Sequence, residues 1–173
     1  MQFKFPLNQD ATDCTTGHIK ATEKLGKQLF TSQVIIIDEG PMMHKKFWEL
    51  LHFSCVDLYK RFHPEDIDFE TPFAGKLIIG SGDLRQCLPV IKHGNRTTIV
   101  QNVTNRNFLW THFKEVHHIV NERVMRNTLN QPENIQDMCK YFLEQLLLLG
   151  DGNTPFVDHA NQAIDISQIA LTV

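Results

Sequence analysis

The sequence predicts an α/β fold, a parallel sheet with crossover helices, and three observations carry that reading. Val34-Ile35-Ile36-Ile37 and Lys76-Leu77-Ile78-Ile79-Gly80 are short apolar runs of the kind that parallel sheets bury on both faces. Between them Met43, Phe47, Leu50, Leu51, Cys55, Leu58 and Phe62 recur at spacings of three and four, marking one apolar face of a helix. Strand, helix, strand in that order is how a chain builds parallel neighbours, because each return to the same end of the sheet needs a crossover.

The remaining elements follow in chain order. An earlier helix is expected over about Ile19 to Phe30, with Leu25, Leu29 and Phe30 inward. His63 to Pro72 carries Glu65, Asp66, Asp68 and Glu70 and reads as an acidic surface loop. Glu115 to Val120 is a third, weaker strand candidate. A last helix follows Pro132, runs through Met138, Phe142, Leu146 and Leu149, and stops at Gly150. From Asp151 onward the periodicity fades.

Composition bounds the function. The chain has 173 residues, of which 42% are apolar, enough for one domain with a real core. Its 17 basic and 20 acidic side chains leave a net charge of −3, so bulk charge makes no case for nucleic-acid binding and any such contact rests on local residues. Cys14, Cys55, Cys87 and Cys139 lie far apart without a CxxC pair, which reads as reduced thiols of an intracellular protein rather than a zinc site. The nine histidines include His117-His118 but no HExxH spacing. No secretory signal is visible in Met1 to Leu7, and the longest aliphatic run, Leu146 to Leu149, is far below membrane-spanning length.

Two segments carry chemistry. The run Ile35-Ile36-Ile37 ends in Asp38-Glu39, which places two adjacent carboxylates at the carboxyl edge of a sheet, where α/β proteins bind ligands. In phosphate-loop NTPases the first such acid holds magnesium through its water shell, and the second polarises the water that attacks the γ-phosphate. The second strand ends in Gly80-Ser81-Gly82-Asp83-Leu84-Arg85-Gln86. Its glycines permit close backbone approach, and Gln86 can hydrogen-bond both a γ-phosphate oxygen and the attacking water.

These segments, with their order and spacing, resemble the petite-integration-frequency (Pif-type) DNA helicases, in particular the Helitron-like branch. The resemblance is carried by Ile36-Ile37-Asp38-Glu39-Gly40-Pro41-Met42-Met43, by Pro72-Phe73-Ala74-Gly75-Lys76, and most specifically by Gly82-Asp83-Leu84-Arg85-Gln86-Cys87-Leu88-Pro89-Val90. Asn107-Phe108-Leu109-Trp110, Val124-Met125-Arg126-Asn127 and Phe142 through Gly152 extend it, and Phe3-Lys4-Phe5-Pro6 begins it. It implies a RecA-like lobe over residues 1–155, with 156–173 as a tail. It implies ATP and magnesium as cofactors, with Asp38 holding the metal through water, Glu39 activating water, and Gln86 sensing the γ-phosphate. Gly82, Asp83 and Arg85 would surround the nucleotide, and Arg126 would stabilise charge on the transferring phosphate. Phe3, Lys4 and Pro6 would lie near the single-strand path, where stacking and cationic groups hold DNA.

The resemblance further implies five-prime to three-prime unwinding of DNA at a junction of single strand and duplex. It also implies roles in repair, recombination and telomere or mitochondrial DNA maintenance, in nucleus or mitochondrion. Three positions depart from the family pattern: Gly40 for alanine, Leu84 for phenylalanine and Val124 for asparagine. No GxxxxGK[ST] occurs in the 173 residues, so the lysine and the magnesium-binding Ser or Thr of a phosphate loop are missing from them. The expectation is therefore most of a first lobe, lacking the strand and loop that would lie beside Ile35-Ile36-Ile37. The competing expectation is a catalytically inactive remnant or interaction domain from a decayed transposon or partial gene model. A GTPase would give no reason for Gly82-Asp83-Leu84-Arg85-Gln86 beside Arg126.

Overall fold

Two parallel strands form the frame on which everything else in the first half hangs. In the computed structural model, which describes residues 19–66, 70–86, 88–118, 120–154, 156–158 and 163–164, helix α1 (Lys24–Thr31) leads into strand β1 (Val34–Ile37). A single 3-10 turn (Gly40–Met42) then leads to helix α2 (Lys45–Phe62), and strand β2 (Leu77–Gly80) returns beside β1. Pairing is parallel and in register from Val34 opposite Leu77 to Ile37 opposite Gly80. The α/β architecture, with a helix in the crossover, is thus the one expected of a partial RecA-like sheet. A short helix α3 (Arg96–Gln101) and two 3-10 turns (Thr104–Arg106, Phe108–His112) complete this unit, which ends at Lys114.

The core lies on one face of that sheet. Ile35 and Ile37 point into it, together with Leu29 of α1, Trp48, Leu51, Cys55 and Leu58 of α2, and Phe73 and Leu109 from the connecting turns. Each fully buried aliphatic side chain there contributes about 1.5–3 kcal/mol relative to exposure. The strands were expected to be buried on both faces, and β1 is not: Val34 and Ile36 alternate outward, with Ile36 72% exposed. The alternation is geometric, since successive side chains point to opposite faces, and among the described residues only the inner face is covered.

Helix α2 is rotated from the face read off the sequence. Trp48, Leu51, His52, Cys55 and Leu58 are buried, whereas Met43 and Phe47 are half-buried and Phe62 is exposed, stacked on Phe30 with ring centroids 4.0 Å apart. Helix α1 begins at Lys24 rather than Ile19, though Leu29 is inward as expected and Leu25 and Phe30 are half-buried. Burial pushes the Cys55 thiol up to about 12, leaving it an inert apolar group. Cys55 and Cys139 are free thiols; Cys14 and Cys87 lie outside the described residues.

Two polar contacts, one part-buried and one buried, set the entry to β2. The Lys76 ammonium donates to the carbonyls of Phe30 (2.7 Å) and Ser32 (2.9 Å), capping the otherwise unsatisfied C-terminal end of α1. Burial lowers its pKa, with Cys55 acting weakly the other way. His52 Nδ1 accepts the Phe73 N–H at 3.0 Å, which holds a turn whose Phe73 and Ala74 both have left-handed backbone angles.

The second unit runs from Glu115. The strand expected over Glu115 to Val120 does not form: its described residues have no regular structure, and Val116 and Val120 are exposed. Helix α4 (Glu122–Thr128), which the sequence reading did not anticipate, is capped by Asn121, whose side chain accepts the Val124 N–H. Helix α5 (Glu133–Gly150) follows Pro132 and ends where expected. Strands β3 (Phe156–Asp158) and β4 (Ala163–Ile164) form a small antiparallel pair.

Candidate active site

The carboxyl ends of β1 and β2 lie side by side, so the acid pair and the glycine-rich loop leave the sheet at one edge. Three hydrogen bonds lock them together. Ser81 N–H donates to the Ile37 carbonyl (2.9 Å), Gly40 N–H donates to the Ser81 carbonyl (2.9 Å), and Ser81 Oγ donates to Asp38 Oδ1 (2.7 Å). Asp38 Oδ1 also accepts the Glu39 N–H at 3.1 Å. Both bonds fall on one oxygen, and Oδ2 has no hydrogen-bond partner among the described residues. Asp38, Glu39 and Ser81 are exposed, as a site that meets ligand from solvent requires.

Glu39 occupies an unusual backbone conformation, φ 53° and ψ 36°. For a residue with a Cβ this left-handed geometry costs roughly 1–2 kcal/mol. It turns the chain from β1 into the Gly40–Met42 turn. Gly82 answers it from the other strand: its φ is 142°, and a methyl group there would stand 2.3 Å from Pro41 Cδ and 3.3 Å from Glu39 Cα. Only glycine fits, because both the angle and the space exclude a side chain.

Beneath the turn lies Trp48, 3% exposed. A methyl group on Gly40 would come within 2.9 Å of its ring, and one on Gly80 within 3.2 Å. The Trp48 indole N–H donates to Thr104 Oγ1 (3.2 Å), and the Thr104 hydroxyl lies within donating distance of the Gly40 (2.9 Å) and Met43 (3.0 Å) carbonyls. Asn107 Nδ2 donates to the Lys45 carbonyl and to Glu49 Oε1. The acid turn is thus supported by side chains more than fifty residues away in sequence. Sequence reading missed Trp48, Ser81 and Thr104 as supports; the spacing of Trp48, Leu51, Cys55 and Leu58 was the available signal for the first.

The other expected site residues are placed as follows. Asp83 Oδ1 accepts the Arg85 N–H (2.9 Å) and lies 3.7 Å from the Arg85 guanidinium. Gln86 N–H donates to the Asp83 carbonyl (3.1 Å), and its side chain is exposed further along the same loop. Arg126 belongs to the second unit and sits on helix α4, exposed, 3.7 Å from Glu122. Such a surface pair contributes well under about 1 kcal/mol. Phe3, Lys4 and Pro6 lie outside the described residues, as does Asp68.

The donor set suits magnesium. Asp38 and Ser81 offer hard oxygens, and no cluster of three or more His, Cys, Asp or Glu that could hold a metal occurs among the described residues. Magnesium needs no protein cage where phosphates and water supply most ligands, and one or two carboxylates suffice.

By fold and edge geometry this is a RecA-like α/β protein, with an acid pair and a Gly-Asp turn on adjacent parallel strands. The family follows from comparison: the model for PIF1-like helicase matches residues 1–160, and the chain belongs to that family. A search of curated proteins finds no match to the chain. Among the described residues no helix is long and apolar enough to cross a membrane.

Proposed function

We propose that these residues form the magnesium-and-water side of the ATP site in a DNA helicase motor that unwinds from five-prime to three-prime. The observation that supports this best is the Ser81–Asp38–Gly40 linkage, which joins the acid turn to the Gly82–Gln86 loop at one sheet edge. Asp38 would hold magnesium through its water shell, and the ion would supply neutralising charge for the phosphates. Glu39 accepts the proton of the attacking water, and Gln86 orients that water against the γ-phosphate. Arg126 supplies a fixed cation for the charge that develops. Asp83 and Arg85 carry the state of the loop toward the DNA, with Phe3, Lys4 and Pro6 along the single strand. Alternate closing and opening of two lobes then ratchets one strand, and repair, recombination or telomere maintenance in nucleus or mitochondrion are the settings for such a motor.

The 173 residues contain no GxxxxGK[ST] motif, the source of the backbone cradle and lysine that grip a β-phosphate in phosphate-loop enzymes, and positioning provides most of the catalysis in phosphoryl transfer. The experiment is a steady-state ATPase assay with and without single-stranded DNA. The 173 residues alone are expected to show no DNA-stimulated turnover. Joined to a phosphate loop and a second lobe they should turn over, and Glu39→Gln should abolish hydrolysis while sparing ATP binding. Undiminished turnover in Glu39→Gln would overturn the site assignment. Absence of turnover in the joined form would favour the alternative, a domain that keeps the fold without catalysis.

A further inference from the structure

The geometry points to Ser81 as a positioning residue that presets the Asp38 carboxylate for magnesium and ties it to the loop carrying Gln86. This inference rests on the metal role proposed above for Asp38.

Two backbone bonds already fasten the loop to the acid turn, Ser81 N–H to Ile37 and Gly40 N–H to Ser81. The Ser81 side chain is therefore not needed to hold the loop in place. Its hydroxyl does something different: it donates a 2.7 Å hydrogen bond to Asp38 Oδ1, across 43 residues of sequence. An O–H···O⁻ bond of that length is charge-assisted and among the stronger kinds. Together with the Glu39 N–H it occupies Oδ1, so the carboxylate is held in one rotamer with Oδ2 left for a metal-bound water. An exposed aspartate without such a partner samples several rotamers, and a metal must then select one. Partners of this kind, hydrogen-bonded to a ligating carboxylate, typically change metal affinity 10–100-fold when removed. The bond also has a consequence for coupling. Ser81 is contiguous with Gly82, which packs on Pro41 and Glu39, so displacement of the loop pulls directly on the carboxylate.

The test uses the 173-residue chain and Mn²⁺ alone as a probe, read as paramagnetic broadening of the Gly40 and Gly82 amide signals during titration. Wild type should show broadening at both amides, and Asp38→Asn should abolish it. Ser81→Ala should weaken Mn²⁺ binding about tenfold or more, and Ser81→Thr, which keeps the hydroxyl, should restore it. Ser81→Cys, similar in size but a weak donor, should behave like Ser81→Ala and guards against a misfolded alanine variant. Wild-type affinity in folded Ser81→Ala and Ser81→Cys would overturn the inference while leaving Asp38 as the metal residue. No broadening in wild type would overturn the metal reading itself, and the inference with it.

Discussion

The two units of this chain are built by different physics. Among the described residues, every buried apolar residue of the core lies between Ile19 and Leu109, in the first unit. In the second, helices α4 and α5 bury no residue at all, and Leu146, Leu147 and Leu148 are 39%, 51% and 42% exposed. The first unit holds its shape by packing around Trp48, Leu51 and Leu58. The second has helices specified by local signals: the Asn121 cap, Pro132 before the first turn of α5, and straight-chain residues along it. The residues expected from the sequence to act on the nucleotide differ in the same way. Asp38, Glu39 and the Gly82 loop are positioned by long-range contacts, whereas Arg126 is positioned by its own helix.

The largest expected effect tests that contrast directly. Leu51, 1% exposed in α2, should cost about 2–5 kcal/mol on mutation to Ala. Leu147→Ala in α5, 51% exposed, should cost no more than about 0.5 kcal/mol. Urea unfolding followed by circular dichroism measures both, and equal losses would break the contrast. Next in size is the polar support. Thr104→Val strands the Trp48 indole N–H in a buried position and leaves the Gly40 carbonyl with the Met43 N–H alone, an expected loss of about 1–3 kcal/mol. Asn121→Ala removes the α4 cap and should cost about 1 kcal/mol, confined to the second unit. Amide exchange of the two units separates these outcomes.

A third prediction runs opposite in sign. Because Glu39 sits at φ 53°, Glu39→Gly should raise stability by about 1 kcal/mol while removing hydrolysis from the joined motor. A loss of stability would show that the Glu39 side chain makes a compensating contribution. The smallest effect is a pH dependence. Burial, and then His112, hold the His52 pKa below its ordinary 6.5. The unfolded chain therefore takes up this proton first as pH falls. The stability held by neutral His52 is complete above about 6.5 and is lost as pH drops from there toward the folded value. Melting curves between pH 8 and 5 should show this slope, and His52→Gln should flatten it.

Much of this was legible because it is local. The apolar runs at Val34 and Leu77, the crossover helix between them, and the end of α5 at Gly150 follow from period and composition, and the acid pair and Gly-Asp turn follow from strand ends. What escaped is tertiary. The inward face of α2 is set by Trp48 fitting under Gly40 and Gly80, which spacing from Met43 does not reveal. Thr104 and Asn107 sit in a polar stretch that gives no sign of burial. Glu115 to Val120 reads as a weak strand candidate, yet its described residues take no regular structure, and the left-handed Glu39 is imposed by the turn into α2.

The placement of Trp48 gives the molecule an optical reporter of its own. The chain has two tryptophans; Trp110 is half-buried, while Trp48 is enclosed directly beneath Gly40 with its N–H bonded to Thr104. An indole so enclosed emits toward the blue, and its emission shifts red when water or a displaced carbonyl reaches it. In a Trp110→Phe background, any ligand that tilts the Asp38–Gly40 turn would be visible as a colour change from a single ring, without a label and without turnover.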